Sequence, residues 1–415
     1  MKGRKYIIYV LLPFYLGAFI EEDIVNYKVC VRGISAVTPL GENTFDLKSS
    51  LKTDKSSIKT SDKYPFKEVF DRFKEYTGKE VIGSFFDREK NSTFKNEKKI
   101  RYQIIDKAFA QVLLNSKMTE QEITNADLIV GTCVGGSDAI SQKILFKEEG
   151  ITAEDAIGSF YTNYLRKKYK FNGRTITFST ACASSANAVS YGYDLIKNGL
   201  SELVLICGVD FLSYLTYFGF TNIDSIDEDM TKPFSKNHNG INLGECVSFM
   251  LLERAESIEK TQIQIASKIE QIDNYSITSP NPNGKLEENG MRQLLKNSKL
   301  ANSKKIGYIN AHGTGTKAND EMEYRAIKSA FSDMNYYVSS TKSFHGHTLG
   351  PAGLLESVIC VLVLQNNFIP PTLRLKPSLP HYCSESVNSN VQWAVSNSFA
   401  FGGNAVSILF MKGDN

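Results

Sequence analysis

The residues best equipped for chemistry are one cysteine and two histidines that lie far apart in the chain. Cys182 sits in Thr180-Ala-Cys-Ala-Ser-Ser-Ala-Asn187, after the β-branched run 175–178. A helically patterned segment follows, from Ala186 to Asn198, and closes at Gly199. That order predicts a strand, a tight turn and a helix, with the sulfur over the first free N–H groups of the helix. The partial positive charge there favours thiolate over thiol and predicts a depressed thiol pKa. Small neighbours, Ala181, Ala183, Ser184 and Ser185, let a thioester approach closely. A free cysteine is more often just a small buried hydrophobe, so the reading turns on its partners.

Two downstream segments supply partners. Asn310-Ala-His-Gly-Thr-Gly-Thr316 ends a strand-like run at 306–309 and is followed by Asp320. Ser340-Thr-Lys-Ser-Phe-His-Gly-His-Thr-Leu-Gly-Pro-Ala-Gly353 precedes Glu356. The chain holds only five histidines, His238, His312, His345, His347 and His381, so two in glycine-rich strand-end loops are informative. A cysteine with sequence-distant histidines is the pattern of a nucleophilic site assembled by folding.

These three segments resemble the β-ketoacyl-[acyl carrier protein] synthases, the condensing enzymes of fatty acid and polyketide synthesis. The shared pattern is a Cys elbow, His-Gly-Thr-Gly-Thr, then Lys-Ser-x-x-Gly-His with a following Ala-Gly and Glu. The closing Asn397-Ser-Phe-Ala-Phe-Gly-Gly-Asn404 is similar to the family's C-terminal glycine loop. Val37-Thr-Pro-Leu-Gly41, Pro233-Phe234, Gly240-Ile-Asn-Leu-Gly-Glu245 and Thr278-Ser-Pro280 extend the match from about Tyr27 to the C-terminus.

The resemblance implies a decarboxylating Claisen condensation of a malonyl group with an acyl group held on Cys182. His312 and His347 would act as neutral imidazoles donating N–H bonds to the enolate. Lys342 and Glu356 would fix their orientation and protonation, and His345 would stay outside the chemistry. The backbone N–H groups of Cys182 and Phe401 would form the oxyanion hole. The Phe401 ring would gate access, with Gly402 and Gly403 as its hinge. Thr314 and Thr316 would hydrogen-bond the pantetheine arm. The resemblance implies no resident cofactor and no metal, because the substrates ride on the 4'-phosphopantetheine of an acyl carrier protein. That carrier is the implied partner, alongside a second copy or a ketosynthase-like subunit in a dimer. The implied architecture is an α/β thiolase fold, duplicated in five α-β-α-β-α layers. Its halves would be 27–258 and 259–415, with the cysteine from the first and both histidines and the lysine from the second.

Two other readings stand beside this one. A noncatalytic partner subunit that sets chain length typically loses the cysteine and often a histidine, and this chain keeps all three. A degradative thiolase carries a second cysteine in a C-terminal Cys-x-Gly loop, where this chain reads Phe401-Gly-Gly-Asn404.

Strand-like runs recur at 29–34, 128–131, 175–178, 203–207, 247–252, 306–309, 338–340 and 406–411. Helical stretches separate most of them, the pattern of an α/β fold with buried sheets. At 415 residues, 42% hydrophobic and 22% charged, the chain can bury one large core or two fused ones. Seven cysteines, spread without a CxxC pair, suit a reducing cytoplasm rather than a disulfide or zinc framework. A net charge of +3 is too balanced for nucleic acid binding. The stretch Lys95-Asn-Glu-Lys-Lys-Ile-Arg101 reads as a solvated helix face, or else as a landing site for an acidic carrier.

The N-terminus departs from the family, whose members usually open with the first strand. Met1-Lys-Gly-Arg-Lys5 and the apolar run 6–20 are too short for a stable span and lack a small-x-small cleavage site. Residues 1–26 read as a nonessential extension or a misassigned start, so a chain beginning near Asn26 is expected to keep full activity. Other departures are Ser235-Lys-Asn-His-Asn239 where an acidic and basic pair is usual, Cys246 after Glu245, and Ser276 where His is frequent. Leu215-Thr-Tyr-Phe-Gly-Phe220, taken with the Gly240 segment, is similar to synthases of aryl polyene and flexirubin-type pigment clusters.

Overall fold

The computed structural model describes residues 27–60, 71, 74–75, 81–87, 94–147, 149–301 and 303–413, so the 1–26 extension lies outside them. Among the described residues, ten strands form the main sheet. The first five are β1 (Lys28–Val37), β2 (Asp127–Gly131), β3 (Thr175–Phe178), β4 (Leu203–Asp210) and β5 (Cys246–Ala255). The second five are β6 (Ile263–Ile272), β7 (Gly307–Asn310), β8 (Tyr336–Ser339), β9 (Trp393–Phe399) and β10 (Asn404–Lys412). Their spatial order is β8-β7-β9-β10-β6-β1-β5-β4-β2-β3.

Read outward from the centre, the first set runs β1-β5-β4-β2-β3 and the second β6-β10-β9-β7-β8. Both therefore follow one rule: first, fifth, fourth, second and third strand. In each set the two inner pairings are antiparallel and the two outer ones parallel. The sets meet where β1 pairs β6 at Val29–Ile265, Cys30–Gln264 and Val31–Ile263. The chain is a duplicated unit, although no repeat is visible in the sequence.

Eight helices matter here: α1 (Phe94–Ser116), α2 (Asp138–Phe146), α3 (Phe160–Tyr169), α4 (Ser184–Lys197), α5 (Tyr214–Asn222), α6 (Lys285–Asn297), α7 (Lys317–Ala330) and α8 (Ala352–Asn366). Helices α4 and α8 follow the third strand of their respective halves, and they pack on each other and on strands of both halves. Every residue of α8 from Ala352 to Leu364 is buried, as an apolar helix enclosed on all sides must be. A side chain at Gly353 would put its Cβ 2.6 Å from that of Ala186, so glycine permits this close helix contact. Outside lie α1 on β1 and β5, and α6 on β6 and β10. The result is five layers, α-β-α-β-α, with α4 and α8 as the middle one.

Two strands escaped the sequence reading. β6 (Ile-Gln-Ile-Ala-Ser-Lys-Ile-Glu-Gln-Ile) alternates apolar and polar residues and adjoins a charged stretch. β9 (Trp-Ala-Val-Ser-Asn-Ser-Phe) is fully buried despite three polar residues. The basic stretch in α1 also needs correcting. Glu97 and Arg101 are buried, Arg101 pairs with Asp138, and Lys98 pairs with Asp155, so this part of α1 faces inward as much as out. Among the described residues, no helix is long and apolar enough to cross a membrane.

Candidate active site

The β3–α4 connection is a single 3-10 turn, Ala181–Ala183, entered through Ala181 in the left-handed region at φ 50°. That conformation costs an alanine roughly 1–2 kcal/mol, and such strain collects at functional turns. Three side-chain bonds hold the turn. Ser184 Oγ donates to the Ala181 carbonyl (2.6 Å) and accepts from the Thr180 N–H (2.9 Å), while Asn187 Nδ2 donates to Thr180 Oγ1 (2.8 Å). Cys182 is left buried in the wall of one pocket, which it shares with His312, His347, Phe399 and Phe401.

The expected depression of the Cys182 pKa is not found. Burial pushes the thiol up to about 12; Lys342 pulls the other way, and Asp210 and Glu356 add to the rise. Magnitudes explain the outcome, since a helix N-terminus contributes only about 0.3–1 kcal/mol, less than one pKa unit. Desolvating a fully enclosed thiolate outweighs that. Cys182 therefore rests as a thiol, and any reaction at its sulfur requires the proton to leave.

The two imidazoles lie close together, with ring centroids 5.5 Å apart and planes at 83°. The Leu349 N–H donates to His347 Nδ1 (3.4 Å), and the Lys342 ammonium donates to His312 Nδ1 (3.3 Å). Each Nδ1 is thus an acceptor, which places the proton of each neutral ring on Nε2. Burial, then Lys342, then the neighbouring histidine hold both rings well below the ordinary histidine pKa. They are neutral N–H donors. His345 has the opposite pattern: Nδ1 faces the Gly346 carbonyl (2.8 Å) and Nε2 faces Thr341 Oγ1 (3.2 Å). Both of its nitrogens are used internally and it does not line the pocket, so it has a structural role.

Lys342 is fully buried, paired with Glu356 and donating to the His312 carbonyl at 2.6 Å. Burial raises Glu356 to about 7 against the pull of Lys342. Thr314 and Thr316 line the pocket with their hydroxyls 2.9 Å apart. The Phe401 ring lies 5.8 Å from that of Phe220, and the two glycines behind it, Gly402 and Gly403, have φ of 80° and 77°.

Three carboxylates that position this machinery were missed or left without a role. Glu323 accepts from the His312 and Gly313 N–H groups (both 2.8 Å) and from Asn397 Nδ2 (3.2 Å). Asp320, one helical turn earlier, accepts from the Gly315 and Phe234 N–H groups (3.2 and 2.7 Å). Asp210, at the end of β4, accepts from the N–H groups of Cys133, Val134 and Gly350 at 2.8–2.9 Å and so joins the two halves. A signal existed for the first two: carboxylates three apart on the helix after a glycine-rich loop share a face and can hold that loop's amides. The third is the only charged residue of an otherwise apolar strand.

The comparisons agree with this geometry. The family model for the N-terminal domain of beta-ketoacyl synthase matches residues 26–257, and that for the C-terminal domain matches 264–376. A 3-oxoacyl-[acyl-carrier-protein] synthase 2 of Synechocystis is 29% identical over 93% of this chain and 98% of its own length. Nodulation protein E of Rhizobium meliloti is 32% identical over 68% of this chain and 74% of its own. Among solved structures, the ketosynthase ApeO in complex with its chain length factor ApeC, from Xenorhabdus doucetiae, superposes with a TM-score of 0.76. It is 25% identical and covers 93% of this chain and 98% of that one. The fold and the pocket define a thiolase-fold acyltransferase. The chain belongs to the β-ketoacyl synthase family.

Proposed function

We propose that the protein is a β-ketoacyl-[acyl carrier protein] synthase that condenses malonyl carrier with an acyl group on Cys182. The observation that carries this reading is the convergence of Cys182, His312 and His347 on one pocket, with both rings presenting Nε2–H. The Cys182 sulfur attacks an acyl thioester while its proton passes to the departing pantetheine thiolate. The Cys182 and Phe401 amides hold the transient oxyanion. Malonyl thioester then loses carbon dioxide by C–C cleavage, and the electron pair left behind forms an enolate. The His312 and His347 N–H groups stabilise its oxygen, a role open only to neutral rings. The enolate carbon attacks the acyl-Cys182 carbonyl, and the expelled sulfur takes up a proton. The product is a β-ketoacyl carrier two carbons longer.

In this scheme the thioester arm enters past Thr314 and Thr316, Phe401 gates the nucleophile, and no step calls on a resident cofactor. The partners are an acyl carrier protein and a second subunit, either another copy or a ketosynthase-like chain. The ketosynthase–chain length factor pairs among the structural neighbours support the latter. A cytoplasmic setting follows from the unpaired cysteines, and membership of the aryl polyene or flexirubin-type group rests on the 215–220 and 240–245 segments. Incubation with acyl carrier and malonyl carrier, read by mass spectrometry, tests the scheme. Wild type should give the product two carbons longer and Cys182→Ala should not. Absence of acylation with any primer or added partner would favour a noncatalytic subunit.

A further inference from the structure

Two acidic groups that the mechanism does not use line the substrate pocket: Asp273, which accepts from the Tyr275 and Asn281 N–H groups (3.0 and 2.8 Å), and Glu287. Glu287, in the first turn of α6, is only 3% exposed yet forms part of the pocket wall. Its Oε2 is buried with no hydrogen-bond partner among the described residues. A buried carboxylate oxygen is rarely left unpaired, because its desolvation is not otherwise offset. Burial, reinforced by Asp273, holds this carboxyl above its ordinary range.

Its place along the pocket indicates what would pair with it. Met291, one turn further along the same face of α6, takes the Asn397 amide on its sulfur (3.6 Å). Asn397 also bonds Glu323, which holds the His312 backbone. In the opposite direction α6 begins at Lys285, whose side chain is largely in solvent, beside a loop with exposed Tyr275 and Ile277. Glu287 therefore stands about one helical turn, 5.4 Å, from Met291 toward the solvent-exposed start of α6, and it lines the same pocket as Thr314 and Thr316, the groups assigned above to the thioester arm. Whatever bonds it belongs to the tether of the thioester and not to the acyl chain. The donors on such a tether are two amide N–H groups and, farther from the thioester, the pantoyl hydroxyl, so the donors nearest the reacting end are the amides.

We propose that Glu287 is a binding residue for the carrier arm, accepting an amide N–H of the pantetheine chain on Oε2. The inference rests on the condensing-enzyme reading above. The test measures acyl transfer onto Cys182 by intact mass from two donors with the same acyl group. Acyl pantetheine has the amides, and the S-ethyl thioester has none. In Glu287→Ala, the ratio of kcat/KM for the first donor to that for the second should fall about tenfold, as loss of a charge-assisted hydrogen bond requires. The loss should appear mainly in KM. Glu287→Gln keeps an acceptor oxygen and should keep most of the ratio. A ratio within twofold of wild type in Glu287→Ala, or an equal loss with both donors, overturns the proposal. If wild type, with a ketosynthase-like partner added, acylates from neither donor nor from acyl carrier, the condensing-enzyme reading itself is at fault.

Discussion

The two halves of the molecule have one strand plan and carry the groups proposed to react unequally. In each, the helix after the third strand is entered through a left-handed residue three positions before its start: Ala181 (φ 50°) ahead of Ser184, and Leu349 (φ 62°) ahead of Ala352. The next position is Cys182 in the first half and Gly350 in the second. A Cβ at Gly350 would lie 2.3 Å from the Cys133 nitrogen and 2.6 Å from Asp210 Oδ2. The first half's own loop occupies the space, so a nucleophile can come from only one of the two turns. The second half differs in length instead. Residues 179–183 join β3 to α4, whereas 340–351 join β8 to α8. The longer connection carries Lys342, His345 and His347. In the proposed scheme the two similar frames therefore differ in use: one turn seats the nucleophile, and the longer connection of the other half carries His347 and Lys342, which act on the enolate with His312.

Substitutions that erase the asymmetry should have graded effects. The largest belongs to Cys182→Ala, which should lower acyl transfer by roughly 10³-fold or more while leaving thermal melting unchanged. Lys342→Ala comes next, because it strands Glu356 in the core. Breaking a buried pair in this way costs about 3–5 kcal/mol, measurable by urea unfolding. Gly350→Ala tests the packing argument and should destabilise by about 1–3 kcal/mol; a neutral effect would show that the second turn had room for a side chain after all.

The smallest effect concerns His345, in the inserted stretch. Burial, with Lys342 adding, lowers its pKa from 6.5 to about 3. As pH falls below 6.5, the unfolded chain therefore binds this proton while the folded one does not, and stability is lost. From pH 7 to 5.5 this one group accounts for about 1.3 kcal/mol. His345→Gln should reduce the pH dependence of unfolding by that amount, and an unchanged slope would contradict the assignment.

The groups proposed to react stood out in the sequence because their types are rare and their neighbours distinctive. Cys182, His312, His347 and Lys342 sit among glycines and small residues at strand ends, and they fall on one pocket or directly behind it. The supports were harder to see. Glu323 and Asp210 act by accepting backbone N–H groups, and any exposed carboxylate looks the same in a sequence. β6 was hidden because one of its faces is partly solvated, β9 because it buries polar residues in its middle, Asn397 accepting from Ser407 Oγ of β10 (2.7 Å) and donating to Glu323 (3.2 Å). The duplication was invisible because strand order is set by which faces are buried, not by residue identity. The thiol pKa was misjudged because a turn's position shows the helix end and not the depth of burial around it.

The division of labour is tested most directly by single-turnover mass spectrometry of His312→Ala and His347→Ala beside wild type, with acyl carrier and malonyl carrier. Acyl-Cys182 should form in both variants, while the product two carbons longer should fall at least about 10²-fold. Condensation at the wild-type rate, or equal loss of acylation and condensation, would contradict a nucleophile seated in one half and served by enolate-stabilising imidazoles from the other.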